Sequence, residues 1–298
     1  ALKLDDFGNV YVSCGGVEMG QGLHAALVST VADALGVRPE RVFVNPTDTA
    51  TCPWDVGTHA SRGAFIAGNA AILSCHKARD RIFELAGEVF SAEVQRNLAR
   101  TGGAPPAIDV EAEARARRFD LRDGMLSLRD APDDPRLRLD LGHVLRAIHF
   151  RGYRGAMIAA EAFFEPKSEL PDWEKGRGNL SATYAFGAQG VEVEVELDTG
   201  RVRILRMAAA HDVGTVLHPQ ALRGQIVGAL AQGIGYALYE EVKTDRGRIV
   251  NPSFRDYKIP TAVEMDFPID IDLVETPDPA GPFGAKGVGE PGLVPTAP

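Results

Sequence analysis

Twice along this chain an apolar strand runs into a glycine-containing segment and then into a helix, and that recurrence restricts the fold more than any other feature. In the first instance Val10-Tyr11-Val12 leaves the turn at Gly8-Asn9, and a glycine-rich stretch follows from Gly15 to Gly22. Leu27, Val28, Val31 and Leu35 then mark a helix from His24 to Leu35 that Gly36 ends, before a short strand at Val42-Phe43-Val44. In the second, Val191, Val193, Val195 and Leu197 alternate with Glu192, Glu194 and Glu196, which predicts one buried face and one wet face. Asp198-Thr199-Gly200 turns the chain and Val202 to Ala210 returns. A long helix runs from about Pro219 to Glu241, and Phe267 to Thr276 adds a strand. Each half places a Gly-Gln pair near its helix start, Gly20-Gln21 and Gly224-Gln225. The echo is too loose to be a repeat. It predicts an α/β fold of mixed sheets and packed helices in two linked subdomains, 1–135 and 136–298.

The remaining segments read less sharply. A helix is expected from about Ala64 to about Gln95, interrupted near Gly87, and a strand over Ala182 to Gly187. Gly102 to Pro135 is rich in Pro, Gly and charge and reads as a linker or surface excursion. It contains one hairpin, Phe119-Asp120-Leu121 against Met125-Leu126-Ser127-Leu128, turning at Asp123-Gly124. Leu139 to Ile148 is a short helix.

Composition narrows the function classes. A net charge of −9 argues against a nucleic-acid-binding surface, which would need a basic patch. No apolar run reaches the roughly 18 residues of a membrane helix, and the first residues lack the shape of a secretion signal. Three scattered cysteines, Cys14, Cys52 and Cys75, fit a reducing compartment such as the cytoplasm, with the periplasm also compatible. With no CxxC pair, neither an iron–sulfur nor a zinc site is legible.

Chemistry concentrates in Gly284-Ala285-Lys286-Gly287-Val288-Gly289-Glu290-Pro291-Gly292, where one carboxylate sits among four glycines and a proline. Such a loop has little bulk and no helix propensity, so a large rigid partner can approach its backbone and meet Glu290. Together with Gly16-Val17-Glu18-Met19-Gly20-Gln21-Gly22 and Gly224-Gln225-Ile226-Val227-Gly228-Ala229, it resembles the large, molybdenum-binding subunit of the xanthine dehydrogenase and aldehyde oxidase family, the molybdenum hydroxylases. Asp212-Val213-Gly214 with His218-Pro219, Asp256-Tyr257-Lys258-Ile259-Pro260 and Gly57-Thr58-His59-Ala60-Ser61-Arg62 extend the resemblance along nearly the whole chain. It is weakest between about Gly102 and Asp140. Only the second half of the family's molybdenum portion is matched, so a separate subunit of a split enzyme or a piece of a longer one is expected.

The resemblance implies molybdopterin carrying molybdenum, with the cytosine dinucleotide form open, and no direct protein ligand to the metal. It implies 2Fe-2S clusters and FAD on partner chains: an iron–sulfur subunit, a flavin subunit and the other half of the molybdenum subunit. Glu290 falls on the family's catalytic base, and an enclosed carboxylate beside an apolar wall would suit that task. Met19, Gly20, Gln21 and Gly22 would bring backbone and one amide to the cofactor, and Gln225 and Gly289 would also touch it. Ala60, Ser61 and Arg62 would take its phosphate end. Each has a plainer alternative: a turn amide for Gln21, a buried satisfied amide for Gln225, a surface ion pair for Arg62. Lys286 could meet a substrate carboxylate or be structural. His211, Asp212 and His218 invite a metal reading, against which a structural turn is favoured. Trp54 and Trp173 stay undecided.

The expected activity is hydroxylation of an N-heterocycle, purine- or nicotinate-like, or of an aldehyde, with water as the oxygen source. The Cys52-Pro53-Trp54-Asp55-Val56-Gly57 stretch keeps an aromatic-thioester (hydroxybenzoyl-CoA-type) reductase open, and a non-catalytic assembly protein of the same fold is the third reading.

Overall fold

The computed structural model describes residues 1–151 and 157–298. These divide into two compact units. The first comprises 1–19, 23–57 and 66–165; the second comprises 20–22, 58–65 and 166–298.

In the first unit, β1 (Leu2–Leu4), β2 (Val10–Val12), β3 (Val42–Val44) and β7 (Ile158–Ala160) form a mixed sheet in the order β3-β2-β1-β7, with β2 and β3 parallel and the other pairs antiparallel. The first helix, α1 (Leu23–Leu35), turns Leu27, Val31 and Leu35 inward, as the spacing predicts. Gly36 ends it at φ 83°, and a Cβ there would lie 1.9 Å from the Leu121 carbonyl oxygen. Glycine therefore serves both the left-handed cap and the close approach.

The second helix, α2 (Gly68–Thr101), is entered through a wide π-type turn at Gly63–Ala67 and runs unbroken past Gly87. A Cβ on Gly87 would lie 2.8 Å from the Ala114 carbonyl oxygen, so this glycine admits a neighbouring helix instead of interrupting its own. That neighbour is α3 (Val110–Arg115), followed by the expected hairpin, β4 (Phe119–Arg122) and β5 (Met125–Leu128), and by β6 (Leu139–Asp140). The segment from Gly102 to Pro135 is thus no surface excursion. Phe119, Leu121, Leu126 and Leu128 are buried, and Phe119 packs its ring against Phe83 and Phe90 at 5.7 and 5.1 Å. The fourth helix, α4 (Leu141–Arg151), buries Leu141, Val144, Leu145 and Ile148 in the same core.

In the second unit, β8 (Gly187–Val195) pairs antiparallel with β9 (Val202–Asp212), and β12 (Ile269–Val274) pairs parallel with β9. Two shorter strands, β10 (Thr244–Asp245) and β11 (Arg248–Ile249), form a small hairpin. One long helix, α5 (Pro219–Leu238), lays Ile226, Leu230 and Ile234 on Met207 and Ala209, with Ile269, Ile271 and Leu273 completing the cluster. The predicted strand over Ala182 to Gly187 is absent; that stretch is irregular up to Gly187. The buried face expected for β8 is also absent: Val191, Val193 and Val195 are 49%, 44% and 47% exposed. The mixed sheets and packed helices confirm the α/β class.

Candidate functional site

The glycine loop is held on one side by the end of β9. Asp212 and Lys286 form an ion pair at 2.5 Å whose side chains are only 10% and 9% exposed. The Lys286 N–H donates to Val213 O at 3.0 Å, and Thr215 N–H donates to Gly284 O at 2.9 Å. This backbone approach needs Gly214 at φ 65°, where a Cβ would stand 2.2 Å from Gly284 O. Lys286 is thereby taken up as a structural partner. His218 caps α5, its Nδ1 accepting from Ala221 N–H at 3.2 Å.

His211 is buried under the sheet's end. A Cβ on Gly187 would meet its Nδ1 at 2.8 Å, and one on Gly292 would lie 3.8 Å from its Cε1. Burial pulls its pKa below the ordinary imidazole value, which favours the neutral ring, and its Nε2 has no hydrogen-bond partner among the described residues. Among the described residues no three His, Cys, Asp or Glu side chains gather into a metal-binding group.

On its other side the loop meets the turn at Ala60-Ser61, which reaches it from a point 229 residues earlier. Both residues are left-handed, at φ 52° and 53°, a conformation that costs a non-glycine residue about 1–3 kcal/mol. The Glu290 N–H donates to Ser61 Oγ at 2.8 Å, and Ser61 Oγ reaches Glu290 Oε2 at 3.4 Å. A Cβ on Gly287 would lie 2.1 Å from Ser61 O; one on Gly289 would lie 3.4 Å from Ser61 Oγ and 3.9 Å from Gln225 Oε1. Beyond Glu290, Gln189 Nε2 donates to Gly292 O at 2.6 Å, and Thr296 Oγ1 bridges Gln189 Oε1 and Gly292 O, both at 2.9 Å.

Ser61, Gln225, Gly289 and Glu290 therefore gather around one turn. Gly22 joins the same helix one turn earlier, its missing Cβ 3.6 Å from Ala221. Gly20 and Gly22 take φ 103° and 86°, which a side chain would resist. Gln21 is half-buried between them, Met19 and Ala60 are exposed, and Arg62 closes its turn by donating its N–H to His59 O at 3.1 Å. Trp54 and Trp173 are exposed. Glu290 is exposed as well. The Ser61–Glu290 contact, the Asp212–Lys286 pair and the Gln189 clamp were not legible in the sequence. Each spans at least 74 residues, and no local pattern announces a partner at such range.

A missing Cβ at Gly20, Gly224 or Gly228 meets nothing within 4 Å. Bare backbone beside the amides of Gln21 and Gln225 suits a flat organic group with a mixed donor and acceptor edge. The fold and site together define an α/β cofactor-binding domain.

The comparisons give that class its family. A family model described as a molybdopterin cofactor-binding domain matches residues 1–266, and this chain belongs to that family. It is 31% identical over 98% of its length to the 6-hydroxypseudooxynicotine dehydrogenase complex subunit gamma of Paenarthrobacter nicotinovorans, covering 33% of that protein. It is 27% identical over 99% of its length to a xanthine dehydrogenase molybdenum-binding subunit of Escherichia coli O157:H7, covering 35% of it. Among solved structures, quinoline 2-oxidoreductase from Pseudomonas putida 86 matches with a TM-score of 0.76 at 27% identity, over 99% of this chain and 33% of that one. The resemblance drawn from the motifs is borne out. The chain spans about a third of the length of these relatives.

Proposed function

We propose that this chain forms part of a molybdenum-cofactor-dependent oxidoreductase that hydroxylates an N-heterocycle, with water as the oxygen source and Glu290 as general base. The observation that carries it is Glu290 itself, its backbone held by Ser61 in a glycine-rich turn where a Cβ on Gly289 would lie 3.9 Å from Gln225 Oε1. When bound, the cofactor would supply a metal that activates oxygen and accepts the substrate's electrons. The chain's own residues do the rest. Glu290 takes the proton from the attacking oxygen at its carboxylate. Gln21 and Gln225 orient the pterin edge, while Met19, Gly20, Gly22 and Gly289 allow it close. Ala60, Ser61 and Arg62 lie toward its phosphate end.

Quinoline and xanthine, named in two of the relatives, are N-heterocycles, which supports that substrate class, while other relatives are named as aldehyde oxidases. The words subunit and complex in the relatives' names support partner chains, which would carry the rest of the molybdenum portion, the 2Fe-2S clusters and FAD. No helix among the described residues is long and apolar enough to cross a membrane. Three sparse cysteines support a cytoplasmic location.

The test is Glu290→Gln in the complete enzyme. Turnover should fall by about 10²–10⁴-fold, the range for losing a general base, with molybdenum content unchanged. Normal turnover by that variant would sink the proposal. Nucleotide analysis of the released cofactor separates the plain form from the cytosine dinucleotide form.

A further inference from the structure

We infer that Ser61 is the positioning residue for Glu290: its hydroxyl fixes the backbone of the glutamate turn and steers the carboxylate, instead of serving only to hold a phosphate. The inference rests on the proposed role of Glu290. Three observations carry it.

The first is the hydrogen bonding. A serine hydroxyl offers one donor and two acceptor positions. One acceptor position is filled by the Glu290 N–H at 2.8 Å, a bond of ordinary length. The donor lies 3.4 Å from Glu290 Oε2, a long and weak contact that a small rotation of the carboxylate would shorten. The second is the conformation. Ala60 and Ser61 are both left-handed without being glycine, so surrounding structure holds them there. The third is the fit of the loop to that turn. Gly287 cannot carry a side chain because Ser61 O occupies the place, and a Cβ on Gly289 would lie in ordinary van der Waals contact with Ser61 Oγ. One of the loop's glycines, Gly287, is thus explained by Ser61 alone.

A residue that sets the direction of a general base acts on turnover more than on substrate affinity, because misplacement by about 1 Å can cost on the order of 100-fold in rate. The experiment uses Ser61→Ala and Ser61→Gly in the complete protein. Alanine removes the hydroxyl and keeps a side chain; glycine removes it and relaxes the left-handed backbone. Both should lower kcat by about 10–100-fold with KM changed less than about threefold. Amide hydrogen exchange of the peptide spanning 287–293 should accelerate in Ser61→Ala, a readout that needs neither cofactor nor turnover. If Ser61→Gly keeps normal turnover while Ser61→Ala does not, backbone strain and not the hydroxyl matters, and the inference fails. It fails equally if exchange at 287–293 is unchanged, or if both variants turn over normally while Glu290→Gln is inactive. If Glu290→Gln is itself fully active, the proposed function falls, and the positioning role with it. The exchange experiment still reports whether Ser61 holds the turn.

Discussion

A lysine and an aspartate, each about nine-tenths buried, meet across 74 residues to fix the start of the glutamate loop. Each charge has left water, so removing one partner strands the other. Lys286→Met should cost about 3–5 kcal/mol in unfolding free energy, measured by urea denaturation. The double variant Asp212→Asn with Lys286→Met should recover much of that loss, because no buried charge remains unpaired. A single variant as stable as the wild type would show that the pair is solvated and holds nothing. At this scale the sequence was half legible. Glu290, Gln21, Gln225 and Ser61 stood out by their glycine neighbours and by resemblance. Lys286 and Asp212 were each noticed, but nothing in a linear chain says that one answers the other.

Between elements, the clearest electrostatic coupling joins α2 to α4. Glu93 on α2 is buried, yet it accepts from His143 at 2.9 Å and pairs with Arg151 of α4 and with Arg96 of its own helix. Burial pushes its carboxyl pKa up; the hydrogen bonds from Arg151 and His143 and the charges of Arg151 and Arg96 outweigh that and leave it below the ordinary value of 4.5. The unfolded chain therefore takes up this proton first as pH falls. Glu93 contributes its full stabilisation above the unfolded value and loses it as pH drops through the lower folded value. Between about pH 5 and pH 3 the thermal midpoint of Glu93→Gln should fall less steeply than that of the wild type; parallel curves would overturn the assignment. The helices α1 and α5 and the Asp123-Gly124 hairpin were readable from the sequence. The length of α2 was not, because Gly87 looks like a breaker until Ala114 is seen against it. The hairpin's burial was not either, since the charged and proline-rich residues around Phe119 hide a core position.

For the molecule as a whole, the alternation along β8 named a face correctly and its burial wrongly. Val191, Val193 and Val195 share one side of an edge strand and stay about half exposed, with Leu197 beyond them fully open. Apolar side chains beside unpaired strand backbone favour association between copies. The 298-residue chain made alone should therefore self-associate, and Val193→Lys should reduce that association in light scattering without lowering the thermal midpoint. Unchanged scattering would argue that this face is innocuous.

The contact between Ser61 and Glu290 also sets a clock. At about 5–20 residues per second of synthesis, the 229 positions between them take roughly 10–45 s to make. Throughout that interval the left-handed turn at Ala60-Ser61 must wait without the glycine loop that fits it. The site is therefore closed only once Glu290 has been made. A chain interrupted before Glu290 lacks the loop that fits this turn, so a ligand that needs both the turn and the loop would not bind it.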